Sequence, residues 1–350
     1  VIPVDVDCVA YAQDRLKKLF ASDAKIVENT IVIVTHELSQ TGAPILCRKI
    51  SESLRKRGLK TIIVSLDKAS GMHAMPFLRA SDVFLTCQSV TQAESLIAFM
   101  QQLGLKKVLL NTVVTGHLAP AFHKAGFTVL SLIHEMHDSI ALLQAQAHVR
   151  ALAEDADCIV FPNEYVQADF CAWGYPVAGA CKVCAQGYYK EHMLHRSREQ
   201  REKLIDALHL EPDAVLIAGV GAINFGKGPD VLVQVIAKLR QRGVNAHALW
   251  LGSTNMPPYD VWLRGQIRRM GLADQFHFVG FVQDDDTYMH YLCACDVLAL
   301  VSREDSMPSS MIEAMSCGLP VVGFRSSGGA EAALQDGRGA LVTYMDVDAF

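Results

Sequence analysis

From residue 31 onward, short apolar runs rich in β-branched residues alternate with longer segments in which apolar positions recur every three or four residues. The short runs fit strands buried on both faces, and the longer segments fit amphipathic helices packed against them. Their alternation predicts an α/β chain of parallel sheets with crossover helices. Runs at 31–35, 61–65, 82–86, 107–111, 128–133 and 157–161 form one Rossmann-like set, and runs at 214–219, 246–251, 276–279, 296–301, 320–324 and 340–343 form a second. The polar stretch 189–203 between them predicts a surface helix leading into the second set. A boundary near 190 therefore divides the chain into domains 1–190 and 191–350.

Composition changes this picture little. A length of 350 residues, 51% of them hydrophobic, is enough for two cores. A formal charge of −5, with both signs dispersed, leaves no electrostatic footprint for nucleic acid. No apolar run reaches the ~18 residues needed to span a bilayer. Residues 1–7 lack both an initiating Met and the basic start of a secretory signal, so the expectation is a piece of a longer chain with further domains. Ten cysteines without a secretory leader indicate a reducing, cytoplasmic setting, with Cys47, Cys87, Cys158 and Cys317 as small core residues. Cys181-x-x-Cys184 and Cys293-x-Cys295 lack a second ligand pair at finger-like spacing, so no metal is assigned. The basic helix 48–60, with Lys49, Arg55, Lys56 and Arg57, reads either as a solvated face or as a peripheral contact with an anionic membrane surface.

The chemistry concentrates at 303–320, Arg-Glu-Asp-Ser-Met-Pro-Ser-Ser-Met-Ile-Glu-Ala-Met-Ser-Cys-Gly-Leu-Pro. Pro308 suits a first helical turn, Gly318 the position past the last, and Pro320 prevents continuation, so the spacing predicts a helix over 308–317. Because the buried run 296–301 precedes it, its N-terminus lies at the carboxyl edge of a sheet, where ligands of open α/β folds collect. The N–H groups of Ser309 and Ser310, at the positive end of the helix dipole, suit a phosphate. Glu313, about one turn on, suits ribose hydroxyls, and Asp305 lies in the loop on the sugar side. Upstream, Gly219-Val-Gly-Ala-Ile-Asn-Phe-Gly-Lys-Gly228 joins a strand to a helix. Its glycines allow close backbone approach, and Lys227 supplies a charge for a diphosphate.

Asp305, seven residues, then Glu313 and Ala-Met-Ser-Cys-Gly-Leu-Pro-Val-Val resemble the Glu-x7-Glu signature of the retaining GT4 glycosyltransferases, with Asp as the first acid and Glu304 one residue out of register. The resemblance implies the GT-B fold, two Rossmann-like domains facing across a cleft. It implies transfer from a nucleotide-diphosphate sugar, a substrate and not a cofactor, to a hydroxyl acceptor, with retention and without a metal. The acceptor would be a glycan or lipid-linked molecule, in cell-surface polysaccharide or lipid-linked glycan synthesis. A final helix that returns to the first domain in this family would begin where the chain stops, at 346–350, so the second domain is expected to lack it.

Residue roles carry over by position. The loop ending in Lys227 resembles Gly-Arg-Leu-x-x-x-Lys-Gly, with Gly221 and Lys227 matching and Ala222 in place of the phosphate-binding Arg. Either the helix N-terminus and Lys227 suffice, or Arg303 or Arg325 replaces the missing cation. Thr41 and Gly42 resemble the family's first glycine-containing loop, beside the donor phosphate or the acceptor. His134, in Leu132-Ile-His-Glu-Met-His-Asp138, resembles the His that hydrogen-bonds the transferred sugar; Glu135, His137 and Asp138, which match no motif, are acceptor-side candidates by their position beside it. Phe278-Val-Gly-Phe-Val-Gln283 resembles a segment that reads the base, near Phe281 and Val282. Ser326-Ser-Gly-Gly-Ala-Glu331 resembles a supporting turn. Asp305, His134 and Lys227 are thus the expected catalytic residues. Two other readings are kept: a non-catalytic nucleotide-sugar binding module of a larger protein, and a nucleotide-sugar epimerase.

Overall fold

The computed structural model describes residues 8–20, 24–39, 41–67, 73–190, 192–254 and 257–350; the opening residues 1–7 lie outside the described residues. The chain forms two compact units, Val1–Ala185 and Gln186–Phe350. The division falls slightly ahead of 190, so Tyr188, Tyr189 and Lys190 belong to the second unit.

The first unit is built on a parallel sheet of β1 (Thr30–Thr35), β2 (Lys60–Ser65), β3 (Val83–Thr86), β4 (Lys107–Asn111), β5 (Thr128–Leu132), β6 (Cys158–Phe161) and β7 (Ala180–Val183), in the order β3-β2-β1-β4-β5-β6-β7. Alternate residues enter cores on opposite faces: Val32, Val34, Ile62 and Val64 pack on one side, Ile33, Ile63, Phe84 and Leu109 on the other. This two-sided burial is why the strands appear as continuous apolar runs. The seventh strand was not among the expected ones. It is a largely exposed edge strand, and its sequence Ala-Cys-Lys-Val lacks the apolar run of a buried one. A helix ahead of the expected region, Cys8–Phe20, packs Ala12 and Leu16 into the same core.

The second unit holds β8 (Val215–Val220), β9 (Ala246–Leu251), β10 (Phe276–Gly280), β11 (Val297–Leu300), β12 (Val321–Phe324) and β13 (Ala340–Val342), all parallel, in the order β10-β9-β8-β11-β12-β13. Leu216, Ala218, Leu249 and Leu298 face one core, and Ile217, Ala248, Trp250 and Ala299 the other. The expected helix over 189–203 is shorter and later, Arg198–Ala207. It begins where the Ser197 hydroxyl caps the Gln200 N–H at 3.1 Å.

The basic run also differs from expectation. Its helix is Gly42–Lys56, and Lys60 already belongs to β2. Arg48 and Lys49 face Glu52, and Arg55 and Lys60 pair with Asp82, so much of the charge is matched within the unit. Among the cysteines, Cys47, Cys87 and Cys317 are buried, whereas Cys158 is only half-buried. Among the described residues no helix is long and apolar enough to cross a membrane.

Both sheets reverse their direction of strand addition once, between β1 and β4 and between β8 and β11. At such a switch point the loops leaving adjacent carboxyl edges diverge and open a crevice.

Candidate functional site

At the second unit's switch point the loop after β8 meets the loop after β11. The Asn224 side chain accepts from the Lys227 N–H at 2.9 Å and turns the glycine loop back on itself. The Lys227 stem then lies across Gly221, where a Cβ would stand 3.0 Å from its methylenes. The Gly221 carbonyl accepts from the Trp250 indole at 2.9 Å, tying the loop to the core. Lys227 Nζ, thus placed, forms a short ion pair with Asp305 Oδ2. Asp305 is held through its backbone: its N–H donates to Ser327 O at 2.8 Å and its carbonyl accepts from the Gly329 N–H at 2.9 Å. The turn at 326–331 therefore supports Asp305 directly.

Arg303, one of the two candidates for the missing cation, is engaged within the unit. Its guanidinium forks onto Asp230 at 3.0 and 2.7 Å and stacks 3.7 Å from the centre of the Phe225 ring. It also donates to the Phe225 carbonyl at 2.7 Å. Burial tends to raise the Asp230 carboxyl, but Arg303 and Tyr259 outweigh it and hold Asp230 below the usual carboxylate range. Arg303 is therefore a clamp between the glycine loop and the helix Pro229–Gln241, its charge already matched. Arg325 lies 3.7 Å from Glu331 and is largely exposed. Replacing Arg303 with Ala is expected to cost the second unit about 2 kcal/mol, read by denaturant unfolding, because it leaves Asp230 part-buried without its partner. Arg303→Lys should recover little, since an ammonium neither forks nor stacks.

The expected helix runs over Ser309–Ser316, with Pro308 as N-cap, whose side chain makes no capping bond. Ser310 and Glu313 are buried, each 7% exposed. Burial raises the Glu313 carboxyl; Lys190 and the Tyr288 hydroxyl oppose that rise. Beyond β10, Phe281 is exposed while Val282 packs partly against the core.

The first unit gathers a separate polar cluster at its own switch point. His134 Nε2 lies 3.1 Å from Asn111 Oδ1, and Asn111 Nδ2 donates to the Ala43 carbonyl at 2.9 Å, linking the end of β5 to the start of the helix Gly42–Lys56. Thr112 takes φ +88°, rare for a β-branched residue. It is held there by its N–H to Leu132 O at 2.9 Å and by a hydroxyl contact of 3.2 Å with His36 Nδ1. The Thr41 hydroxyl donates to Glu37 Oε1 at 3.1 Å, while a Cβ on Gly42 would meet open space. Glu37, bonded by His36 against a smaller effect of burial, is lowered to about 2, whereas burial raises Glu135 despite N–H bonds from Val113 and His134.

Burial, with His36 nearby, lowers His134 to about 4, so its imidazole is neutral at physiological pH. The unfolded residue titrates near ~6.5, so between that pH and about 4 the unfolded chain binds the extra proton. His134 therefore subtracts stability progressively as pH falls through this window. Thermal melts at pH 7.5 and 5.0 should show a smaller loss for His134→Gln than for the parent.

Of the residues singled out from the sequence, the structure joins Gly221, Lys227 and Asp305, and sets Ser309, Ser310 and Glu313 on one helix. In the first unit it links His134 with the segment that opens at Thr41 and Gly42. Sequence reasoning missed Lys190, Tyr288, Asn111, Thr112 and His36; the strand-end position of Asn111 was the one available signal.

Residues 28–160 match the family model described as glycosyl-transferase family 4, and residues 214–350 match glycosyl transferases group 1. A D-inositol 3-phosphate glycosyltransferase of Actinosynnema mirum is 34% identical over 139 residues, which are 37% of this chain and 32% of that protein. A GDP-mannose-dependent phosphatidylinositol monomannoside mannosyltransferase of Mycolicibacterium smegmatis is 25% identical over 212 residues, 59% of this chain and 54% of its own. The chain thus matches only about a third to a half of the length of these curated relatives. Among solved structures, Anabaena HepE in complex with UDP and glucose superposes with a TM-score of 0.76 at 20% identity, over 91% of this chain and 86% of that one. The sucrose-phosphate synthase of Thermosynechococcus elongatus gives a TM-score of 0.71 at 18% identity, over 91% and 87%. These two likenesses establish the GT-B fold.

Proposed function

This chain belongs to the GT4-type glycosyltransferases, and on that premise we propose that it moves a sugar from a nucleoside-diphosphate donor, bound by the second unit, to a hydroxyl acceptor, with retention and without a metal. The observation that carries the reading is the Lys227–Asp305 pair at the β8/β11 switch point, just ahead of the helix that bears Glu313. Glycosyl transfer builds negative charge on the departing diphosphate, and preorganised donors lower the barrier most where that charge appears. Lys227 and the amides of Ser309 and Ser310 have that role. Asp305 exchanges its ammonium partner for a sugar hydroxyl, Glu313 takes the ribose, and the base lies near Phe281 and Val282. The leaving phosphate receives the acceptor's proton.

His134, neutral and fixed by Asn111, is suited to bonding a sugar hydroxyl without adding charge. Thr41 and Gly42 border the same side. The relatives' names support a polyol or lipid-linked acceptor, and the cysteine usage supports a cytoplasmic setting. Incubation with labelled UDP-, GDP- and ADP-sugars and a panel of polyol and lipid acceptors tests the proposal. Expected is labelled product that keeps the donor's anomeric configuration and forms equally fast in excess EDTA. Donor binding without turnover on any acceptor would identify a binding module. Isomerised sugar in the absence of an acceptor would identify an epimerase.

A further inference from the structure

Glu313 is 7% exposed, and an isolated carboxylate at that depth would take up a proton to avoid carrying charge. Two side chains outside any recognised motif counter this. Tyr288, on the helix Asp285–Ala294, donates its hydroxyl to Glu313 Oε2 at 2.8 Å. Lys190, near the start of the second unit, brings Nζ to 3.5 Å from Glu313 Oε1. The Lys190 side chain is 12% exposed and is fixed from two further directions: 2.5 Å from Asp285 Oδ1 and 4.6 Å above the Tyr288 ring. Tyr188, Tyr189 and Asp285 are further titratable groups around the carboxylate.

We propose that Lys190 and Tyr288 are positioning residues that fix Glu313 as a charged, singly oriented acceptor for the two hydroxyls of the donor's ribose. The inference rests on the donor reading above and extends it to residues beyond the Asp305–Glu313 motif. A carboxylate offers both oxygens as acceptors to a vicinal diol, whereas a carboxylic acid must place a proton on one of them. Tyr288 occupies one lone pair of Oε2 and sets the plane of the group. Lys190 supplies the charge that keeps it ionised, and Asp285 holds Lys190 in place. A purely structural ion pair, tying the start of the unit to the helix Ser309–Ser316, would affect folding but would not make donor affinity depend on pH.

Burial raises Glu313 and Lys190 opposes it, so removing Lys190 raises Glu313 further, and donor affinity is lost at a higher pH as acid is added. Calorimetric titration of the whole chain with UDP-glucose and GDP-mannose between pH 5 and 9 reads this, since neither donor carries a phosphate monoester. Lys190→Met is expected to move the acid limb up by at least about one pH unit, with affinity at pH 9 within about threefold of the parent. Lys190→Arg should return the limb to its place, Tyr288→Phe should move it the same way by less, and Glu313→Gln should weaken binding and abolish it. Melting curves identify any variant that fails to fold. A Lys190→Met protein that loses affinity equally at every pH, or keeps the parental limb, overturns the proposal while leaving the donor reading intact. No binding heat from the parent with either donor overturns that reading, and this inference with it.

Discussion

Replacing Lys227 with Ala is expected to lower kcat for sugar transfer by about a hundred- to a thousandfold, the scale seen when one preorganised donor to a developing oxyanion is removed. Lys227 is only partly exposed, and its stem is laid across Gly221 by the turn at Asn224. Its ammonium is therefore placed before the donor arrives. The loss should appear mainly in kcat, because the leaving diphosphate gains charge only as the bond to the sugar breaks. Asp305→Ala should be of similar size for a different reason: it removes the carboxylate proposed to orient the sugar and leaves Lys227 without its resting partner. Because the two groups touch, the double variant should lose much less than the product of the single losses. Steady-state rates for the three variants check this, and a fully multiplicative pattern would separate the two residues.

The second large effect concerns stability. Gly228 has φ +69° and joins Lys227 to the helix Pro229–Gln241, and a Cβ there would run into the backbone carbonyl oxygen of Val301, the residue after β11. Neither the oxygen nor the turn can give way without moving the strand that leads to Asp305. Gly228→Ala is expected to destabilise the second unit by about 3 kcal/mol or more, as left-handed strain and a backbone overlap combine. Gly243 is the control: its φ is +79°, but a Cβ there meets nothing within 4 Å. Gly243→Ala should cost only about 1 kcal/mol, the conformational part alone. Urea unfolding of the two variants separates overlap from strain.

What was legible in the sequence follows from these contacts. Strands such as Val32–Val34 and Leu216–Ala218 are buried on both faces, so composition alone marks them. Ala180–Val183 is exposed on an edge and carries Lys182, so the same signal is missing. The helix beginning at Ser309 was readable because Pro308, Gly318 and Pro320 act locally on the backbone. Contacts between distant positions were not. Lys227 and Asp305 are 78 residues apart, Arg303 and Asp230 are 73 apart, and Lys190 and Asp285 are 95 apart. Sequence alone could therefore offer Arg303 as a phosphate cation, whereas its carboxylate partner makes it a clamp. The φ of Thr112 was also hidden, because threonine gives no hint of a conformation imposed by His36 and Leu132.

The central claim, that the second unit's switch point holds a sugar-diphosphate, is tested most directly by a crystal structure of the chain with UDP-glucose or GDP-mannose. Expected is a diphosphate against Lys227 and the amides of Ser309 and Ser310, with the ribose diol on Glu313 and the Lys227–Asp305 pair opened. A nucleotide bound elsewhere, with that pair intact and Glu313 still turned only to Lys190 and Tyr288, would contradict it.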